Sequence, residues 1–129
     1  MTSVLAQSGS DPMDWLAIGL LCPVMVAAGA AIVEIGRRGR DGRLKRNAFA
    51  GIRTAATMRS DEAWAAAHRA GARTMMTGGA VSVVTGLALL LRPSNTVGGV
   101  VVVGGAVVMT ALVVVSGIQG GRAAKAVGD

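Results

Sequence analysis

Few residues of this chain could do chemistry, and their spacing keeps them apart. There is one histidine, His68, one cysteine, Cys22, and seven carboxylates that form no pair beside either. Nucleophilic catalysis needs a base next to the nucleophile, and general acid–base catalysis needs positioned proton donors and acceptors in one site. Neither set is present, so the chain reads as a non-enzyme that takes no cofactor. A shared metal site is also excluded, because Cys22 lies in an apolar block and His68 in a polar one. Gly51-Ile52-Arg53-Thr54 lacks the Gly-Lys-Ser/Thr ending of a phosphate loop. What remains for it is binding: Arg53 with nearby backbone amides could hold an anionic lipid headgroup.

The elements that must position these residues follow from composition. Apolar residues make up 52% of the 129, yet there are only two tryptophans, one phenylalanine and no tyrosine, too few large groups for an ordinary soluble core. The apolar residues fall in three blocks, 15–35, 74–91 and 96–118, each near the ~20 residues needed to cross ~30 Å of hydrocarbon as a helix. The valine-rich third block could suggest a strand, but it is too long for one, and a lone strand leaves its backbone unsatisfied in lipid. The expected fold is therefore an all-α membrane protein with three transmembrane helices in a single domain over 15–118. A basic loop with a short amphipathic helix, 37–73, joins the first two spans. An N-terminal segment, 1–14, and a tail, 119–129, flank the domain.

Charge sets the orientation. Ten of the 13 Lys and Arg residues lie between Arg37 and Arg73, two in the tail at Arg122 and Lys125, and Arg92 in the turn between the second and third spans. The positive-inside rule then puts the loop and C-terminus in the cytoplasm and the N-terminus and Arg92 outside. The net charge of +6 is explained by anionic lipid headgroups facing the loop, and no aromatics interleave with the cations to suggest nucleic acid. Asp11 and Asp14 replace the basic leader of a signal peptide, so the first span reads as a retained anchor. Cys22 reads as a helix-packing residue, with lipidation the alternative.

Small residues mark where helices could touch. Gly78, Ser82 and Gly86 recur every four residues on the second span, Gly98 and Gly105 are seven apart on the third, and Gly19, Pro23, Ala27 and Ala31 form a column on the first. These could pack the three helices together, make a homo-oligomer, or dock the chain into a larger membrane complex. Glu34, at the end of the first span, has Arg37 and Arg38 as available partners.

In the loop, glycines alternate with arginines up to Gly42, after which Leu44, Phe49 and Ile52 are apolar points that could dip into the headgroup layer. Ser60 is a good N-cap, with Asp61 and Glu62 suiting the first turn of a helix. Trp64 and His68 follow on one helical face, where His68 has a backbone carbonyl, Glu62 or a lipid phosphate as possible partners. Asn47, Gly51-Ile52-Arg53-Thr54, Thr57, Ser60-Asp61-Glu62, Trp64 and His68 together resemble the signature of the SdpI family of small bacterial membrane proteins. Ala55 stands where that pattern often has proline, which implies a looser turn. The resemblance implies a location in the inner membrane of a bacterium and an immunity or signalling role. The best-known family member, which has further spans before the signature, protects its cell from a secreted toxic peptide and holds a transcriptional repressor at the membrane. A cytoplasmic regulator contacting the signature loop is the corresponding expectation here. An accessory subunit of a larger membrane assembly, docked through its glycine-rich spans and binding anionic lipid, is the alternative.

Overall fold

A computed structural model describes residues 8–128. It contains three long helices, α1 (Trp15–Arg40), α2 (Asp61–Ala88) and α3 (Asn95–Ala126), each long and apolar enough to cross a membrane. The chain is a multi-pass membrane protein. At 1.5 Å per residue the helices run about 39, 42 and 48 Å, so each outreaches the ~30 Å hydrocarbon layer. Their ends accordingly carry the charge. The segment 61–73, expected as a separate amphipathic helix or an extension of the second span, is the unbroken first part of α2. The expected tail is helical as far as Ala126. Of the N-terminal segment expected over 1–14, residues 1–7 lie outside the described residues, as does Asp129 of the tail.

Local chemistry sets the helix starts. The Asp14 carboxylate accepts from the Leu16 amide, the Ser60 hydroxyl from Ala63 at 3.0 Å, and the Ser94 hydroxyl from Val97 at 3.2 Å. The end of α1 holds Arg37, Arg38 and Arg40 in its last turn, and Gly42 turns the chain at φ +75°. Arg37 and Arg38 both pair with Glu34, at 3.4 and 2.9 Å.

The arrangement is a layer with α2 in the middle. It packs along α1 on one side and α3 on the other, while α1 and α3 scarcely meet. The α1 face is Ile18, Cys22, Met25, Gly29, Gly36 and Gly39, all buried. Its steps of three, four and seven keep a seam against one neighbour. The column Gly19, Pro23, Ala27 and Ala31 is exposed instead. Steps of four alone advance about 40° each around a 3.6-residue helix, so such a column winds off the interface.

The same drift divides the expected column on α2. Gly78 faces α3, where an added Cβ would lie 3.2 Å from the Leu112 Cβ. Ser82 and Gly86 face α1: the Ser82 hydroxyl donates to the Met25 carbonyl at 2.8 Å, and a Cβ at Gly86 would lie 3.0 Å from the Cys22 carbonyl. The tightest approach to α1 is at Gly79, whose added Cβ would sit 2.6 Å from the Gly29 carbonyl oxygen. On the α3 side, Gly71, Gly78 and Thr85 repeat every seven residues, and Gly105 abuts Thr85. Ser116 donates to the Gly71 carbonyl at 2.9 Å and Thr74 to Gln119 at 2.8 Å. Gly98 makes room for Met13, not for a helix.

That contact belongs to a cap at the end opposite the basic loop. Met13 donates its amide to the Pro93 carbonyl, Asn95 donates its own to Asp11, and Arg92 reaches the Met13 carbonyl at 3.1 Å while lying 5.2 Å over the Trp15 ring. The segment before α1 is thereby stitched to the α2–α3 turn.

Candidate functional site

The loop between α1 and α2 is folded down onto the helices, and its centre is Ile52. This residue was expected to reach toward the headgroups. It is buried, with its Cδ1 in the slot left by two glycines: an added Cβ would lie 3.3 Å from it at Gly71 of α2 and 2.8 Å at Gly120 of α3. The reason is polar as much as apolar. Both backbone groups of Ile52 are taken by buried side chains, its amide donating to His68 Nε2 at 2.8 Å and its carbonyl accepting from the Thr57 hydroxyl at 2.7 Å. A backbone satisfied in this way can be buried without penalty.

His68 is fixed by the same bond. An amide can only donate, so Nε2 is the bare nitrogen and Nδ1 carries the proton, which it directs to the Trp64 carbonyl 2.8 Å away. The imidazole lies in the part of α2 preceding the apolar span, and burial lowers its pKa below the ordinary value for histidine. It is neutral, structural and unavailable to Glu62 or to lipid. Trp64 stacks against it with ring centroids 4.1 Å apart and donates its indole N–H to the Leu44 carbonyl at 2.7 Å.

Gly51 must pass these rings. Its φ is +107°, and an added Cβ would lie 2.5 Å from His68 Nε2 and 3.0 Å from the Trp64 ring. Asn47 shapes the preceding turn: its Oδ1 accepts from the amides of Phe49 and Ala50, and its Nδ2 donates to the carbonyls of Lys45 and Ala50. Thr54 and Thr57 cap each other across the next turn, each hydroxyl accepting the other's amide, at 3.2 and 2.9 Å. The 3-10 turn Thr57–Arg59 follows and leads into α2.

Two arginines add four further contacts. Arg46 donates to the Met58 carbonyl at 2.7 Å and pairs with Asp61 at 3.2 Å. Arg59 donates to the carbonyls of Ala124 and Val127 at the C-terminal end of α3, where a cation suits the helix dipole. No local pattern announces this last contact, because its partners are 65 and 68 residues away in the chain.

The residues singled out in the sequence thus divide. Asn47, Gly51, Thr54, Thr57, Trp64 and His68 hold the loop together, and Asp61 makes one exposed ion pair. Arg53 and Glu62 are exposed and have no hydrogen bond or ion pair among the described residues. Phe49 is 94% exposed at the Asn47 turn, the one apolar point of the loop that stands clear.

Three spanning helices with a folded basic loop clamped to the ends of two of them define a class of small integral membrane protein. The match to the SdpI/YfhL protein family model covers residues 43–117, more than half of the chain, and the chain belongs to that family. The matched region starts in the loop and runs through α2 into α3. No curated protein and no solved structure matches the chain.

Proposed function

We propose that the chain is an immunity or signalling protein of the SdpI type in the inner membrane of a bacterium, and that its loop faces the cytoplasm and engages a soluble regulator. The role is one of binding, without catalysis. The observation that carries this reading is the state of Arg53. Its neighbours Ile52 and Thr54 are held by His68 and Thr57, so an unpaired guanidinium stands on a fixed stem. A charged side chain already ordered at its base loses less entropy on binding a carboxylate or phosphate. Phe49, four residues earlier, adds an exposed aromatic anchor of the kind enriched at interfaces.

The test is purification of the tagged native protein in mild detergent, with its partners identified by mass spectrometry. Arg53→Ala and Phe49→Ala are expected to lose a soluble partner while membrane insertion and thermal stability stay unchanged. Retention of every soluble partner by both variants would sink the reading. Reporter fusions at the two termini check the orientation.

One observation favours the second reading, an accessory subunit. On α3, Gly99 and Gly104 would place a Cβ against nothing within 4 Å, and Val100, Val103 and Val107 beside them are exposed. Close approach of a partner helix needs such a surface. Gly104→Leu, not a substitution at the internal Ser82, is the variant expected to release a membrane partner.

A further inference from the structure

A second basic feature is built from cations other than Arg53. Where the loop crosses α3, the 54–56 turn and the last turns of α3 enclose a groove of about 480 Å³, lined by Thr54, Ala55, Gly117, Gly121, Arg122 and Lys125 among others. Both cations are exposed and have no hydrogen bond or ion pair among the described residues, and no carboxylate lines the groove. An added Cβ would meet nothing within 4 Å at either Gly117 or Gly121, so one wall of the groove is bare helix backbone.

Depth gives the groove its meaning. About 20 residues of α3 cross the hydrocarbon, so a span entered near Val97 leaves it near Gly117. Arg122 and Lys125 then stand about 7 and 12 Å further on, level with a headgroup layer that adds about 5–7 Å per leaflet and the water beyond it. Long cationic side chains reach back from such a position to phosphate. The groove matches the polar end of one molecule, with Gly117 at the hydrocarbon boundary, Gly121 about 6 Å beyond it among the headgroups, and the two cations reaching back to that layer.

We propose that this groove is a binding site for an anionic phospholipid, with Arg122 and Lys125 on the phosphate, the glycerol backbone along Gly121 and the first acyl carbons at Gly117. It uses different residues from the regulator surface at Arg53 and stands whether or not that surface binds a protein. It also differs from general attraction of the basic loop to a charged membrane, because it requires shape as well as charge.

The test compares retention of phosphatidylglycerol and phosphatidylcholine of identical acyl chains by the purified protein, read by native mass spectrometry at fixed salt. The wild type is expected to retain phosphatidylglycerol at least tenfold better. Arg122→Gln with Lys125→Gln is expected to abolish the preference. Gly121→Leu keeps both charges, fits the open space at that position and fills the groove, and is expected to abolish it too. Arg69→Gln with Arg73→Gln, which removes two exposed cations of α2 near the same end, is expected to leave it intact. Equal loss in the Arg69/Arg73 variant, or full retention in Gly121→Leu, would show bulk charge attraction and overturn the proposal. Displacement of the lipid by glycerol phosphate at equal concentration would overturn it in favour of a soluble phosphate ligand.

Discussion

The signature loop and the α1–α2 seam solve opposite problems. In the loop, irregular backbone is buried at Ile52 and sharply turned at Asn47, and polar side chains satisfy it: His68 and Thr57 take both groups of Ile52, and Asn47 takes four groups of its turn. In the seam, the backbone is already satisfied by the helices, and the side chains disappear: Gly29 lies against Gly79 so closely that neither could carry a Cβ. The first region is specified by which polar groups are present, the second by which atoms are absent. A mutation should therefore damage the loop by removing a group and the seam by adding one, with Gly51 the exception that tests the rule.

Gly51 is a loop residue required for lack of a side chain. Gly51→Val meets both the positive φ, costing about 1–3 kcal/mol, and a collision with His68 and Trp64 adding about 1–3 kcal/mol. The expected loss is about 4 kcal/mol, read as a large fall in Tm in detergent and as new trypsin cleavage at Arg53. Unchanged cleavage would mean that the loop does not depend on the close passage at Gly51.

In the seam, Gly79→Ala should cost about 2 kcal/mol, because the added methyl meets the backbone of Gly29 and the helices must part. Gly19→Ala on the exposed side of α1 is the control. Its methyl meets nothing, and it should be neutral or gain up to about 1 kcal/mol from helix propensity. Parallel thermal scans check both, and equal effects would place the seam elsewhere on α1.

A milder way to open the loop is to lower the pH. A proton on His68 Nε2 would face the Ile52 amide and remove its acceptor. The folded pKa is lowered by burial, so below the ordinary value of 6.5 the unfolded loop takes up the proton first. The stabilisation from His68 is thus complete above about pH 6.5 and declines as pH falls toward the folded pKa. The protection of the Ile52 amide, followed by hydrogen–deuterium exchange between pH 7.5 and 5, should fall on acidification, so that its exchange slows less than the intrinsic base-catalysed rate does. In the His68→Gln variant that loss of protection should be absent.

The sequence shows the spans because a ~20-residue apolar block has few other uses, and it shows the start of α2 because Ser60 and its acidic neighbours act locally. It also picks out the polar residues of the loop without showing which way they face. Trp64 and His68 look alike as surface ligands or as buried struts until Ile52, sixteen residues from His68, is placed between them and α3. Small-residue columns mislead for a geometric reason: spacing by four follows one helix face for only a turn or two, whereas the observed faces follow threes, fours and sevens. The contact of Arg59 with the end of α3 and the Arg92 cap over Met13 depend on how three helices align in depth, and no window of sequence contains both partners.

The smallest expected effects give the cleanest comparison, because two hydroxyls make nearly the same bond in the two regions. Thr57 donates to the Ile52 carbonyl at 2.7 Å and Ser82 to the Met25 carbonyl at 2.8 Å, and both side chains are buried. The carbonyl beneath Ser82 belongs to a helix and keeps a backbone partner when the hydroxyl goes. Interhelical hydrogen bonds of this kind average about 0.6 kcal/mol, since the separated helices in lipid also find partners. Ser82→Ala should cost about that much. The Ile52 carbonyl has no helical partner, and the Thr54 amide also depends on the Thr57 hydroxyl, so Thr57→Ala strands a buried acceptor together with a partly buried donor. Its cost should be about 1.5–2 kcal/mol, and Thr57→Ser, which keeps the oxygen, should recover most of it. If Ser82→Ala proved as costly as Thr57→Ala in the same detergent, polar groups would be holding the seam as they hold the loop, and the distinction between the two regions would fail.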